Sequence, residues 1–316
     1  QIGTGYFGCR TVDGAFCPDR FAETAGLDQV KMIEIKLSQG AKPGHGGMLP
    51  ASKNTPEIAE IRGVTAGEEV LSPPVHSAFD DPASMMAFIA KLRELSGGKP
   101  VGIKLCVGQE SDIVDLCRAM VEADAWPDFI SVDGGEGGTG AAPLEFTNSV
   151  GMPLREGVVL VDDCLRGFGM RGKVKIIAAG RMFTAFHMAR QLSLGADACY
   201  SARAMMLSLG CVQSLLCNTN ECPTGIATQH KSLADGLVVS DKRVRVARYH
   251  QDSVEALAGL LGAAGLVCPS ELTRKHVYRR LSTERIATFE EVYPTVADGC
   301  FLNGDVPQKY RNLISA

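Results

Sequence analysis

The sequence has no excess of basic residues. Its 32 Lys and Arg stand against 36 Asp and Glu, a formal net charge of −4, which argues against a nucleic-acid binder. It has no apolar run near the ~18–20 residues that span a bilayer, and no signal-peptide pattern at its start. Its 11 cysteines are odd in number and scattered over 316 residues, which argues against a fully paired disulfide framework. Nor are there two CxxC-like pairs, as a zinc ribbon needs. A hydrophobic content of 45% is too high for a disordered chain. What abounds is glycine, 35 residues, above the usual ~7%; this favours tight turns and close backbone approaches. The chain begins at Gln1 rather than Met and runs into Gly3-Thr4-Gly5, which reads as a fragment or a processed product.

Strand-like and helix-like runs alternate. Strands are expected over 32–37 (MIEIKL), 101–105 (VGIKL), 129–132, 174–179 (VKIIAA) and 197–201. Asp81 reads as an N-cap, with Pro82 at the first helical position and Gly97 as the stop. Ser111 or Asp112 is expected to cap a second helix, and further helices are expected near 183–193, 202–210 and 252–262. The basic stretch Lys242-Arg243-Val244-Arg245-Val246-Ala247-Arg248 reads as a solvated face. Strands apolar at nearly every position, separated by helices, indicate parallel β/α architecture. Five or six strands fall short of the eight of a closed barrel. Two readings stay open at this point: an open doubly wound sheet, or a barrel lacking its first β/α units, which the abrupt start favours.

In a β/α barrel the strand C-termini carry the site, so the loops after Leu37, Leu105, Val132, Ala179 and Ser201 are expected to converge on one pocket. The densest signal is Asp133-Gly134-Gly135-Glu136-Gly137-Gly138-Thr139-Gly140, directly after a strand. Such glycines admit an anion or a flat ring close to the backbone. The acidic residue that a dinucleotide fold needs about 20 residues on is missing. Gly180-Arg181 and Ser201-Ala202-Arg203 close the last two strands, where barrels bind phosphate; either arginine could equally be a surface ion-pair residue. Lys104, inside an apolar strand, either snorkels outward or enters the pocket, where it would stabilise an anion. His45, among glycines, is a proton-shuttle candidate or a solvated loop residue. Cys106, Cys117 and Cys199 read as buried thiols. Cys211, Cys217 and Cys222 form C-x5-C-x4-C followed by Pro223, a polar loop able to hold an iron–sulfur cluster or simply three free thiols.

Met32–Pro50, Ser72-Pro73-Pro74, Gly102–Leu105, Gly134–Pro143 and Leu209–Thr228 together resemble the FMN-binding synthase domain of glutamate synthase, most closely its stand-alone forms without the amidotransferase. The resemblance covers about residues 1–230. It implies a (β/α)8 TIM barrel of the FMN-binding type over 1–230, lacking its first units, and a C-terminal helical extension over 231–316 packed on it. It implies FMN lined by Gln39, Lys104, Asp133, Gly134, Gly135, Gly138, Thr139, Gly180, Arg181, Ser201, Ala202 and Arg203. It implies a 3Fe-4S cluster on Cys211, Cys217 and Cys222, with Lys104 and His45 at the reacting substrate. The implied reaction makes glutamate from 2-oxoglutarate and ammonia by way of 2-iminoglutarate, with hydride from FMN and electrons from a donor protein or an NAD(P)H-oxidising subunit. Two departures stand out. The family usually has Glu at the place of His45, and a polar Ser-Glu-type stretch at the place of Cys106-Val107-Gly108. No counterpart of the N-terminal glutaminase, or of the early barrel segment that completes the FMN site, stands in this sequence. An oxidoreductase acting on another amino or imino acid, and a non-catalytic electron-transfer subunit keeping the cluster, are the alternatives. The small-molecule substrate, a homo-oligomeric state and a cytoplasmic setting are further expectations; membrane attachment of a longer protein stays open.

Overall fold

The computed structural model describes residues 1–138 and 140–315. Among the described residues nine strands form: β1 (Ile33–Lys36), β2 (Met48–Leu49), β3 (Val70–Leu71), β4 (Val101–Leu105), β5 (Phe129–Asp133), β6 (Lys175–Ala179), β7 (Ala198–Tyr200), β8 (Tyr278–Arg280) and β9 (Ile286–Thr288); the helices include α1 (Pro18–Gly26), α2 (Pro56–Arg62) and α8 (Lys231–Ala234). The central sheet is parallel, in the order β1-β4-β5-β6-β7, and Ile2 adds a parallel bridge to Ile35 outside β1. Its strands follow one another across the sheet in sequence order. A doubly wound sheet reverses order at a switch point; this sheet never does. It is singly wound, as barrels are, and with five strands it is not closed.

The two faces of the sheet differ in chemistry. Ile33, Ile35, Val101, Ile103, Leu105, Ile130, Val132, Ile176 and Ala178 point to one side and merge with helices α3 (Pro82–Leu95), α4 (Glu110–Ala123) and α5 (Leu154–Gly167) in a single core. Each fully buried aliphatic side chain there contributes about 1.5–3 kcal/mol. By the two-residue alternation of strands, the other face carries Glu34, Lys36, Lys104, Ser131, Asp133 and Tyr200. The sheet curls so that Ser131 Oγ (2.5 Å) and Tyr200 Oη (3.4 Å) both donate to Glu34 Oε2. A side chain from the last strand thus reaches one from the first across the concave face.

The Asp81 cap is as expected: its carboxylate accepts the Ser84 N–H at 2.6 Å, and Pro82 opens α3. Three expectations are corrected. The cap of α4 is Gln109, and Asp112 instead returns its carboxylate to the Gln109 N–H at 3.0 Å. The basic stretch 242–248 lies within the 25-residue helix α9 (Val239–Ala263) rather than before a shorter one. Helix α5 went unread, because Asp162 and Asp163 interrupt its apolar face; both are buried against Arg274 of the C-terminal segment. That segment also holds the β8–β9 hairpin, and α9 packs on α6 (Ala185–Ser193) and α7 (Arg203–Leu209). Among the described residues no helix is long and apolar enough to cross a membrane.

Candidate functional site

All five parallel strands end on one edge, and the loops there are tied together. Asp133, at the end of β5, accepts the Gly40 N–H at 3.0 Å and faces Lys104 Nζ at 3.4 Å. Lys104 therefore points to the concave face, held by a buried carboxylate, rather than out to solvent. Lys36 is its register neighbour on β1 and donates to Gln39 Oε1 at 3.0 Å. Burial first, and then the charges of Lys104 and Lys42, hold the Lys36 ammonium below its ordinary pKa. Ser38 Oγ accepts the Cys106 N–H at 2.7 Å, joining the β1 and β4 loops.

The glycine-rich loop is packed against its neighbours. A Cβ on Gly40 would stand 1.8 Å from the Gly134 carbonyl oxygen, one on Gly135 2.3 Å from that of Gly151, and one on Gly138 2.5 Å from the Ala41 methyl. These glycines are required by loop-to-loop contact, whatever else they approach. Glu136 carries two attachments. Its carboxylate accepts the Leu154 N–H that opens α5, at 3.0 Å, and its backbone carbonyl accepts a guanidinium N–H of Arg203. Arg181, with φ of +46°, donates to Asn148 Oδ1 at 2.9 Å. Neither arginine forms an ion pair among the described residues; both bind neutral acceptors at the edges of the same loop. Burial and the nearby Arg181 lower the Arg203 pKa. Gly180 has φ of +149°, and Ser201 Oγ donates to the Met182 carbonyl at 2.9 Å. Thr139 lies outside the described residues.

The single expected pocket is divided: besides a cavity of about 460 Å³ lined by Leu37, Ser38, Leu105 and Cys106, two further cavities hold predicted site residues. Gln39 and His45 line a cavity of about 370 Å³ together with Lys36 and Lys42. His45 is exposed there, its Nδ1 3.1 Å from the Gly46 carbonyl oxygen and its ring edge-on to Phe146. Gly138, Ala202, Arg203, Cys211 and Cys217 line a second cavity of about 450 Å³.

The cysteine loop is wound tightly. Gln213, Leu215 and Asn220 take φ of +54°, +60° and +70°, a region that costs non-glycine residues of order 1 kcal/mol or more each. Lys53, which the sequence reading did not single out, anchors the loop by donating to the carbonyls of Cys217 (2.9 Å) and Ala227 (3.0 Å). Asn220 Nδ2 donates to the Ser52 carbonyl at 3.2 Å. Burial pushes the Cys222 thiol up, but hydrogen bonds from Thr224 and from the backbone N–H groups of Thr224, Ile226 and Ala227 outweigh it and bring the pKa to about 7. Burial and the charges of Cys211 and Cys222 raise Cys217. Among the described residues no three His, Cys, Asp or Glu converge as ligands of a single metal ion. Burial, then Asp133 and Glu136, push Cys106 up to about 12, so it is an inert thiol at neutral pH.

The profile of the conserved region in glutamate synthase matches residues 1–267. The chain is 41% identical over 280 residues to a glutamate synthase large subunit-like protein of Bacillus subtilis, covering 89% of this chain and 53% of that one. It is 37% identical over 235 residues to the archaeal NADPH glutamate synthase of Methanocaldococcus jannaschii, covering 74% of this chain and 45% of that one. The chain thus spans about half the length of these relatives. A solved flavocytochrome b2 variant with pyruvate bound overlays with a TM-score of 0.44 at 11% identity, covering 89% of this chain and 54% of that one. The profile takes in all five strands of the singly wound sheet, the glycine-rich loop and the cysteine loop, and on that match the chain belongs to the glutamate synthase family.

Proposed function

We propose that this chain carries the flavin-dependent oxidoreductase part of a glutamate-synthase-type enzyme, reducing 2-iminoglutarate, formed from 2-oxoglutarate and ammonia, to glutamate. The observation that carries this reading is the 450 Å³ cavity lined jointly by Gly138, Ala202, Arg203, Cys211 and Cys217, which sets an anion-binding strand end beside a thiol loop. FMN when bound supplies the hydride, and a 3Fe-4S cluster supplies single electrons to it.

The residues present suit both groups. Gly180, Ala202 and Arg203 would take the FMN phosphate, at a strand end followed by a helix N-terminus. Gln39, Lys104 and the backbone of 133–138 would hold the ring, with the Lys104 charge favouring an anionic ring. In a cluster each thiolate takes its own iron, so Cys211, Cys217 and Cys222 need not converge on one point. Hydrogen bonds that lower the Cys222 thiol to about 7 favour the thiolate a cluster needs, and the Lys53 ammonium holds the loop against the added negative charge. The polar 370 Å³ cavity, with Lys36, Lys42 and His45, suits an anionic substrate, and His45 can move a proton there. A second reading, reduction of a different imino acid, is favoured by His45 itself, an imidazole where the family usually presents a carboxylate. The electron source would be a donor protein or an NAD(P)H-oxidising subunit.

The test is a UV–visible spectrum with flavin, iron and sulfide assays on anaerobically purified protein, followed by flavin reoxidation with 2-oxoglutarate and ammonium. Flavin bands with about three iron per chain and reoxidation by that pair are expected. A flavoprotein reoxidised only by other imino acids supports the second reading. A protein that stays colourless after reconstitution overturns both.

A further inference from the structure

The C-terminal segment meets arginines of the helical layer in two different ways. One group is fully paired. Arg274, 3% exposed, lies 2.9 Å from Asp162 Oδ2 and 2.8 Å from Asp163 Oδ1, and donates to the Tyr293 carbonyl at 2.9 Å. Arg166 and Arg171 bind the same Asp162. The other group is not paired. Arg155 stands in the first turn of α5, Arg190 in α6 and Arg279 in β8. None of the three is in an ion pair among the described residues.

They nonetheless share one place. Arg279 donates to the Tyr293 hydroxyl at 3.2 Å, and that hydroxyl donates to Glu156 Oε1, beside Arg155, at 3.0 Å. Burial lowers the Arg190 pKa, and Arg155 and Arg279 lower it further, against the opposing pull of Glu136 and Glu156. The Nε–H groups of Arg155 and Arg190 are buried without an acceptor among the described residues. A buried donor without an acceptor is destabilising, and mutual repulsion adds to it. Of the two acidic groups nearby, Glu156 is reached through Tyr293 and the Glu136 carboxylate is engaged by the Leu154 N–H.

We propose that Arg155, Arg190 and Arg279 form a phosphate-binding site where α5, α6 and the C-terminal hairpin meet. Three guanidiniums arriving from three elements suit a tetrahedral dianion, whose oxygens face several directions; a planar carboxylate is satisfied by one fork. The ligand would supply acceptors for the two orphaned Nε–H groups and neutralise the cluster. Arg155 and Arg190 lie within the 1–267 match, and Arg279 and Tyr293 beyond it, so the site joins the matched region to the C-terminal segment. It does not depend on the redox reading above.

The full chain is titrated with inorganic phosphate at constant ionic strength, followed by calorimetry and thermal unfolding. The expected result is saturable binding and a rise in Tm that chloride does not reproduce. Affinity is expected to fall at least about tenfold in Arg190→Gln and in Arg279→Gln, and to be unchanged in Arg243→Gln on the exposed face of α9. Without phosphate, Arg190→Gln is expected to unfold no earlier than the wild type, because it relieves like-charge repulsion; its loss of binding then reads as loss of the site rather than of the fold. A parallel titration with glycerol 3-phosphate separates the two sources: tighter binding than inorganic phosphate assigns the site to a phosphomonoester, weaker binding to free phosphate. A Tm rise matched by chloride, or phosphate affinity unaltered by both substitutions, overturns the proposal.

Discussion

Lys104 Nζ and Asp133 Oδ2 lie 3.4 Å apart on the concave face, and the same carboxylate oxygen holds the Gly40 N–H at 3.0 Å. One buried carboxylate thereby fixes both a lysine on the neighbouring strand and the loop that leaves β1. Asp133→Ala is expected to lose about 1–3 kcal/mol in urea unfolding, since it strands a buried N–H and unpairs Lys104. Lys104→Met would leave the carboxylate with the N–H alone, and flavin content is expected to fall with it. Full flavin occupancy in Lys104→Met would remove Lys104 from the proposed cofactor site.

Gly40 is the tightest backbone approach at the strand ends. Gly40→Ala forces the 40 and 134 loops apart and is expected to destabilise by several kcal/mol. Gly172→Ala, where a Cβ meets nothing within 4 Å, is expected to be neutral or slightly stabilising. Thermal unfolding of the pair checks the contrast; equal Tm values would contradict the packing of these loops.

His76 is buried with its Nε2–H donating to the Lys36 carbonyl at 2.9 Å and its Nδ1 accepting from the Tyr6 hydroxyl at 3.1 Å. The neutral ring satisfies both bonds. Burial, only partly offset by the Lys36 carbonyl, holds its pKa below the ordinary 6.5. The unfolded chain therefore binds more protons between the depressed value and 6.5. The contribution of His76 to stability is complete above 6.5 and is lost as pH falls through the folded value. Urea midpoints measured from pH 7.5 to 5 are expected to decline, with a shallower slope in His76→Phe.

Lys53 is the one cationic side chain bonded to the cysteine-loop backbone among the described residues. Lys53→Met is expected to lower iron and sulfide content per chain while flavin content holds. Parallel loss of both cofactors would show a general unfolding instead.

Arg274→Met leaves Asp162 with Arg166 and Arg171 but strips Asp163 of its only ion pair among the described residues. Breaking a buried pair of this kind costs about 3–5 kcal/mol, measurable as a shift in urea midpoint.

The five strands of the central sheet were legible because their runs are largely apolar; the two- and three-residue strands β2, β3, β8 and β9 were not. Lys104 was legible because a lysine inside such a run demands an explanation. Asp133 and the glycines after it announced themselves by density. Helix α5 was hidden because its two buried aspartates read as surface; the cation they share, Arg274, is 111 residues from Asp163. Lys53 and His76 were hidden for the same reason. Their partners, Cys217 and Lys36, are remote in sequence, and nothing in a lone Lys or His signals a carbonyl acceptor across the fold. The division into separate cavities also escaped the sequence, since periodicity predicts which loops share an edge but not how their backbones fill the space between.

The sheet order follows the chain order, and this bears on how the molecule assembles. Each strand after β1 pairs with the one before it in the sheet, so the sheet can grow by accretion, one β/α unit at a time, without waiting for a distant partner. Short-range pairing of this sort lowers the loop-closure cost at every step and suits a chain emerging from a ribosome N-terminus first. The exception is the lock of Arg274 and Tyr310 on Asp162 and Asp163, which can close only once residues 274–310 are made. Until then Asp162 has Arg166 and Arg171, but Asp163 lies in the core-facing surface of α5 without its cation, so the core of α5 is completed by the C-terminal segment rather than by the sheet.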